Sequence, residues 1–211
     1  MCQPGISCYS HPGANLNHSH DYLLPALEQV IGSSAPPGAD RRIFDLGCGN
    51  GSVAGWLTKR GFDVTGVDPS GEGIEHANRC YPGLKLYEGS AYDDLAAVYG
   101  RFPVVVSLEV VEHVYSPRKY AATLYSLIEK GGVAIISTPY HGYLKNLTLA
   151  LTNRMDAHFT ALWDNGHIKF WSIKTLRLLL EEAGFQDIKF RRVGRVPALA
   201  KAMIAVARKP D

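Results

Sequence analysis

The sequence is poor in cysteine and has no long apolar run. Only four of its 211 residues are cysteines, and Cys2, Cys8, Cys48 and Cys80 form neither a CxxC pair nor the spacing of a disulfide framework. No stretch approaches the roughly 20 apolar residues that a membrane span requires. These absences argue against a disulfide-rich secreted protein and an integral membrane protein. They predict a cytoplasmic chain without a transmembrane segment.

An excess of one charge sign is also missing. Lys and Arg number 22 and Asp and Glu number 20, so the formal net charge is +2. Such a balance argues against nucleic acid or a membrane as the main partner and favours a small molecule. A basic cluster at residues 189–195 has the alternation of a half-solvated strand. Composition does not predict an oligomeric state.

Residues 1–38 are predicted to form a leader and a first helix. Residues 1–15 have neither the basic start nor the apolar core of a secretory signal and are expected to form a mobile leader. From Ser19 to Ile31 the apolar residues recur at helical spacing, and a Ser, Pro and Gly segment then ends the pattern. The rest of the chain, residues 39–211, has the length of one domain.

Short β-branched runs alternate with helical patterns through most of this domain, which is typical of a parallel sheet built from crossover units. Strand patterns lie at 43–46, 64–67, 84–87, 104–108 and 133–137, and two more at 186–193 and 199–207 predict a closing hairpin. Residues 139–172 interrupt the alternation, and an insertion of this length in a compact domain is usually functional. We therefore predict an α/β fold with a substrate-side insertion after the fifth strand.

A glycine-rich loop follows the first predicted strand. Gly47, Gly49 and Gly51 stand directly before a helix, so a ligand can lie against bare backbone there. Ser52 replaces the third glycine of the dinucleotide fingerprint, which argues against a pyrophosphate ligand. Asp68 ends the second strand, near the position from which a carboxylate accepts hydrogen bonds from a ribose diol. The pattern predicts a nucleoside ligand.

The segment from Asp45 to Gly51 resembles the signature loop of the class I S-adenosylmethionine-dependent methyltransferases. The Lys130-Gly131-Gly132 turn and the terminal hairpin match the same family, so the resemblance covers about residues 40–207. It implies S-adenosylmethionine as cofactor and a seven-stranded, mostly parallel, Rossmann-like sheet with a reversed last strand. It also implies that the leading acid and the loop hold the amino-acid end, that the acid after the second strand binds the ribose, and that the residues after the third strand border the adenine. The implied cofactor-binding residues are Asp45, Gly47, Cys48, Gly49, Asn50, Asp68, Pro69, Ser90, Ala91 and Leu108.

Two acids and a histidine follow the fourth strand, at the sheet edge where open parallel sheets bind ligands. If Glu109 begins a helical turn, Glu112 and His113 share its face. Two carboxylates at one point repel each other unless a cation lies between them. The residue types suit a divalent metal such as Mg²⁺, Mn²⁺, Fe²⁺ or Zn²⁺.

Together with His167, this pattern resembles the metal site of two subgroups of the family. One subgroup is the ubiquinone-pathway O-methyltransferases, which act on catechol-like polyprenyl rings. The other is the small-RNA 3′-terminal ribose 2′-O-methyltransferases. The resemblance assigns the metal to Glu109, Glu112, His113 and His167. The alternative is a metal-free Glu-His pair whose acid faces the cofactor or caps a helix.

Two histidines are candidate catalytic residues. His113 is one through its place in the predicted metal site. His141 follows the fifth strand at the same sheet edge, and is either a general base or substrate ligand, or a loop histidine bonded to backbone. Residues 143–151 have the spacing of an amphipathic helix, which we predict to be a lid. Peripheral contact with lipid or with a lipophilic substrate is the alternative.

The predicted function is O-methylation of a small acceptor, assisted by a divalent metal. Such an ion lowers the pKa of the acceptor oxygen and aligns it, so the expected acceptor has a chelating pair of oxygens. Metal-independent N-, C- or carboxyl-methylation and methylation of an RNA 3′-terminal ribose remain alternatives. A nicotinamide-dependent oxidoreductase and a cofactor-binding module without catalysis are the rivals outside this activity.

Overall fold

The computed structural model describes residues 19–35, 38 and 40–211, and the predicted leader lies outside them. The strands are β1 (Arg42–Leu46), β2 (Asp63–Asp68), β3 (Lys85–Glu88), β4 (Phe102–Leu108), β5 (Ile128–Pro139), β6 (Gln186–Val193) and β7 (Ala202–Arg208). The helices are α1 (His20–Ser34), α2 (Ser52–Thr58), α3 (Gly71–Cys80), α4 (Leu95–Tyr99), α5 (Pro117–Leu127), α6 (Tyr143–Leu151), α7 (Met155–Phe159) and α8 (Ile173–Glu182). None of these helices combines the length and the hydrophobicity of a transmembrane span.

The seven strands form one sheet in the order β3-β2-β1-β4-β5-β7-β6. Strands β1 to β5 are parallel, and β7 runs antiparallel to both of its neighbours, β5 and β6. This confirms the predicted α/β fold with a reversed last strand and a closing hairpin. Strand β7 begins at Ala202, later than its sequence pattern, because Leu199 is the last residue of a 3₁₀ turn that begins at Pro197.

Apolar side chains on both faces of the sheet form two core clusters. Along β4 the alternation is direct, since Val105 packs in one cluster and its neighbours Val104 and Val106 pack in the other. Leu23 and Leu27 of α1 are fully buried in the second cluster, so this helix covers one face of the sheet. Helices α5 and α8 cover the opposite face. The carboxyl edge of the parallel strands is therefore flanked by helices on both sides.

The insertion after β5 contains α6, which confirms the predicted amphipathic helix at 143–151, and the shorter α7. Residues 160–172, here named the return loop, then lead back to the sheet edge. The backbone N–H groups of Ile168 and Lys169 donate to the carbonyl of Glu112 at 2.9 and 3.0 Å. The Trp171 indole N–H donates to the carbonyl of Val111 at 3.0 Å. These bonds fix the return loop against the segment that follows β4.

Candidate active site

The glycine loop is bound to the end of the neighbouring strand. The backbone N–H groups of Gly47 and Cys48 donate to the carbonyl of Val67 at 2.8 and 3.0 Å. Gly47 has a φ of 87°, in the left-handed region that favours glycine. A Cβ at this position would collide with the side chain of Val110, from the loop after β4. The position therefore requires glycine both for its backbone conformation and for lack of space.

Asp68 connects the loops after β1 and β2. One of its carboxylate oxygens accepts a hydrogen bond from the backbone N–H of Gly49, and the other from that of Ser70, both at 2.9 Å. Asp68 thus lies between the loops that follow two neighbouring strands, where a carboxylate is expected to meet a ribose diol. The negative charge of Asp68 also raises the pKa of Asp45.

Asp45 is a buried acid at the end of β1 with an unsatisfied oxygen. Its side chain is 2% exposed, and its Oδ2 has no hydrogen-bond partner among the described residues. Burial, together with the charge of Asp68, raises the pKa of Asp45 to about 7. A buried acid of this kind is stabilised in its ionised form by a cation. The ammonium group of an amino acid bound in the glycine loop fits this requirement.

A cleft of about 470 Å³, including its open mouth, lies at this edge of the sheet. It is lined by Gly47, Val67, Pro69, Gly89, Ser90, Ala91, Tyr92, Val110, His113 and Val114. The lining includes four of the predicted cofactor residues, namely Gly47, Pro69, Ser90 and Ala91. Tyr92, Val110 and Val114 were not predicted, although each closely follows the end of a parallel strand. Together with Asp45 and Asp68, these largely apolar walls fit a nucleoside joined to an amino acid.

The remaining predicted cofactor residues lie around this lining. The Asn50 side chain accepts a hydrogen bond from the backbone N–H of Ser52, the first residue of α2, at 3.2 Å. Cys48 is buried and free, and burial raises the pKa of its thiol, so it is no nucleophile. Leu108 is half-buried at the end of β4. A direct contact of these three residues with a cofactor stays a prediction.

Glu109 does not begin a helix. Its φ is 56°, a left-handed value, and residues 109–116 form turns before α5. Ser137 of β5 explains the bend, because its hydroxyl donates to Glu109 Oε1 at 2.7 Å while the backbone N–H of Glu109 donates to the carbonyl of Ser137 at 3.1 Å. The expected helical turn was therefore wrong. The two acids and the histidine nevertheless remain at the same edge of the sheet.

Glu112, His113 and His167 form a compact group of possible metal ligands. One ligand atom from each lies within 4.8 Å of the others. Glu112 is 1% exposed, and neither of its carboxylate oxygens has a hydrogen-bond partner among the described residues. Burial raises the pKa of Glu112, and the charge of Glu109 raises it further. Glu109 itself lies outside the three-residue group, and its role as a fourth ligand stays a prediction.

The two histidines of this group are held in the form that binds metals. Nδ1 of His113 lies 3.1 and 3.2 Å from the carbonyls of Asn165 and Gly166, so it carries the proton and leaves Nε2 as the acceptor. Burial lowers the pKa of His113, and burial with the neighbouring His113 lowers that of His167 to about 4. Both rings are therefore neutral at pH 7. One carboxylate and two neutral imidazoles are a donor set that fits a divalent transition metal.

His141 lies in an aromatic cluster built by the insertion. Its ring centroid is 5.4 Å from that of His158, 5.8 Å from that of Phe159 and 5.1 Å from that of Phe170. The ring is 8% exposed, and its Nδ1 has no hydrogen-bond partner among the described residues. Burial, with the nearby charge of Lys145, lowers the pKa of His141 to about 4. His141 is thus a neutral ring at pH 7.

The structure adds to the site three side chains that the sequence patterns did not indicate. His158 had no recognisable partner in the sequence, and Lys145 was only a polar position on an amphipathic helix. Tyr22 of α1 was read only as an apolar helix position, yet burial and the charges of Glu109 and Glu112 raise its pKa to about 12. Helical spacing shows which residues share a face, but it does not show which distant loop that face meets.

Comparison with known sequences places these residues in a family context. The sequence profile of the methyltransferase domain matches residues 17–189. A ubiquinone biosynthesis O-methyltransferase of Cereibacter sphaeroides is 38% identical over 111 residues, covering 50% of this chain and 44% of that protein. The protein of the same name from Caulobacter sp. is 34% identical over 136 residues, covering 63% of this chain and 52% of that protein. The one from Burkholderia pseudomallei is 27% identical over 194 residues, covering 90% of this chain and 82% of that protein. The chain therefore spans about half the length of two of these three relatives.

Solved structures share the fold. A SAM-dependent methyltransferase from Archaeoglobus fulgidus superposes with a TM-score of 0.67 over 89% of this chain and 93% of that chain, at 20% identity. The methyltransferase domain of bacterial CtHen1-CN superposes with a TM-score of 0.67 over 91% of this chain and 100% of that chain, also at 20% identity. At this level of identity the likeness concerns the fold alone.

Proposed function

Because the chain belongs to the methyltransferase domain family, we propose that it transfers the methyl group of S-adenosylmethionine to an oxygen of a small acceptor. The names of the relatives support oxygen as the acceptor atom. The acceptor carries a chelating pair of oxygens, and a divalent metal assists the reaction.

The observation that carries this proposal is the position of His113. This residue lines the cofactor cleft, and it also belongs to the group formed with Glu112 and His167. On this proposal the cofactor and the metal would occupy neighbouring positions. The methyl group and the acceptor oxygen must meet for displacement to occur, and the residues that would bind the cofactor and a metal lie at one edge of the sheet.

The residues of the chain have distinct tasks in this reaction. Glu112, His113 and His167 hold the metal, which when bound lowers the pKa of an acceptor oxygen. Asp45 binds the ammonium end of the cofactor and Asp68 its ribose. His141 orients the acceptor hydroxyl through a hydrogen bond and does not remove its proton, because a pKa of about 4 makes the ring a weak base. The acceptor hydroxyl gives up its proton to solvent water, and the displacement then forms the bond from acceptor oxygen to methyl carbon and breaks the bond from sulfur to methyl carbon, which leaves S-adenosylhomocysteine.

Removal of metal is expected to abolish methylation of a catechol probe. We expect dialysis against a chelator to lower the rate at least about a hundredfold, and Mn²⁺, Fe²⁺, Zn²⁺ or Mg²⁺ to restore it. The measurement is transfer of labelled methyl to 3,4-dihydroxybenzoate, with S-adenosylhomocysteine titration as the control that the cofactor site is intact. Full activity after dialysis against the chelator would contradict metal assistance and favour metal-independent methylation. Binding of NAD without binding of S-adenosylhomocysteine would contradict the family activity itself.

Affinity for S-adenosylhomocysteine is expected to rise with pH and to level off near pH 7. The free protein holds a proton on Asp45 below its pKa of about 7, and binding of the ligand's ammonium group requires that this proton leave. Binding therefore releases one proton below pH 7, and the affinity rises by at most about tenfold per pH unit there. Calorimetric titrations from about pH 5.5 to about pH 8 test this slope. The Asp45→Asn variant should bind weakly with no such rise, and an unchanged slope in that variant would remove Asp45 from this role.

A further inference from the structure

Lys145 is a half-buried cation beside the proposed acceptor site. Its ammonium group donates one hydrogen bond, to the carbonyl of Tyr140 at 2.8 Å. An ammonium group has three donors, so two remain for a ligand. Burial and the neighbouring Arg195 lower the pKa of Lys145 to about 8, so that most of it is still charged at pH 7.

Positive potential converges on this point, and none of the ion pairs among the described residues includes Lys145. Lys145 lies in the first turn of the nine-residue α6, and cations are unfavourable at the positive end of a helix. That turn contains no acidic residue, and its N-cap, Gly142, supplies no side-chain cap. The carboxylate whose charge acts on Lys145 is that of Glu109, and its Oε1 accepts the Ser137 hydroxyl. An anion is therefore the missing partner.

The surroundings of Lys145 also favour a ligand over solvent. His141, four residues earlier, is more than nine-tenths buried, and within the part of the chain that the structure describes no hydrogen-bond partner of good geometry reaches its Nδ1. The rings of Phe159 and Phe170 pack around it with centroids 4.8 Å apart. A cation whose charge reaches a buried imidazole, itself packed against two aromatic rings, is a suitable site for an aromatic acid.

We propose that Lys145 binds an ionised group of the acceptor, so that acceptors carrying a carboxylate are preferred over neutral ones of the same shape. This inference rests on the proposed function, because it concerns the acceptor of that reaction. The ammonium group receives the carboxylate while Glu112, His113 and His167 lie toward the oxygens to be methylated. Lys145 is a specificity-determining residue, and it takes no part in the transfer step.

The test compares two catechols that differ only in this charge, 3,4-dihydroxybenzoate and 3,4-dihydroxybenzamide. In the metal-loaded protein with S-adenosylhomocysteine, the carboxylate should bind about ten- to a hundredfold more tightly than the amide. The Lys145→Met variant should lose this preference, Lys145→Arg should keep much of it, and Lys119→Met, at an exposed lysine of α5, should keep all of it. Thermal unfolding and S-adenosylhomocysteine binding verify that each variant is folded.

The outcomes separate this inference from the proposed function. Equal affinity of the wild type for the two probes, or an undiminished preference in Lys145→Met, would overturn the role of Lys145. The KM values of the two probes should follow the same pattern, with kcat changing less. A binding preference that depends on Lys145, without methyl transfer to either probe, would retain the subsite and contradict catechol methylation. Methylation of both probes with equal KM values would support catechol methylation and contradict the Lys145 subsite.

Discussion

Replacing Gly47 by alanine is expected to weaken S-adenosylhomocysteine binding by about a hundredfold. The left-handed conformation at this position, with a φ of 87°, costs about 1–2 kcal/mol for any residue with a Cβ. The new Cβ also collides with the Val110 side chain, which lines the same cleft. The loop relieves both penalties by leaving the conformation that receives the cofactor. Calorimetric titration measures the affinity, and thermal unfolding measures the stability.

Two variants make this prediction specific. Gly83→Ala is the matched control, since Gly83 has no atom within 4 Å of an added Cβ and no positive φ, and it should bind normally. Adding Val110→Ala to Gly47→Ala removes the collision but keeps the backbone strain, so it should recover part of the affinity. Wild-type affinity in Gly47→Ala would mean that the cofactor does not lie against this turn.

The Glu112→Gln variant is expected to lose metal binding and, with it, methyl transfer. The amide has nearly the same shape, but it is a neutral and far weaker ligand than the carboxylate, so we expect affinity for Mn²⁺ or Zn²⁺ to fall more than about a hundredfold. Activity should fall by a similar factor, whereas S-adenosylhomocysteine binding should remain. Metal titration of the chelated protein is the measurement that decides this.

The controls exclude loss of structure as the cause. In the metal-free protein the melting temperature of Glu112→Gln should not fall, because the neutral amide removes both the desolvation of a buried carboxylate and its repulsion from Glu109. Glu75→Gln removes an exposed acid of α3 and should change neither metal binding nor activity. If Glu112→Gln binds metal as the wild type does, the group of Glu112, His113 and His167 is not the metal site.

The sequence predicted the parts of the site that depend on local order along the chain. The loop from Asp45 to Gly51 lies between a buried strand and a helix, and this order alone places it at the carboxyl edge of a parallel sheet. The same reasoning located Glu112 and His113 after β4. Their partner His167 came from the resemblance to known metal sites, and it does lie within ligand distance of them.

The insertion could not be predicted in this way. The contacts of His141 with His158 and Phe159 depend on how α6 and α7 turn back, and no periodicity encodes that path. Glu109 shows a second limit, since its spacing fits a helical turn but its bonds to Ser137 hold it in a left-handed bend. Tertiary hydrogen bonds override local spacing where two strand ends meet.

The return loop has a consequence for how acceptor specificity can diverge. Its bonds to the segment after β4 join positions far apart in the chain, such as His113 and Asn165, which are 52 residues apart. The entropy of closing a flexible loop grows slowly, by about 0.6 kcal/mol for each doubling of its length. The stretch that contains α6 and α7 can therefore lengthen, shorten or be exchanged with little penalty, provided that Trp171 and His167 return to the same places. The path of the chain between β5 and the return loop is therefore less constrained than the two ends that it joins.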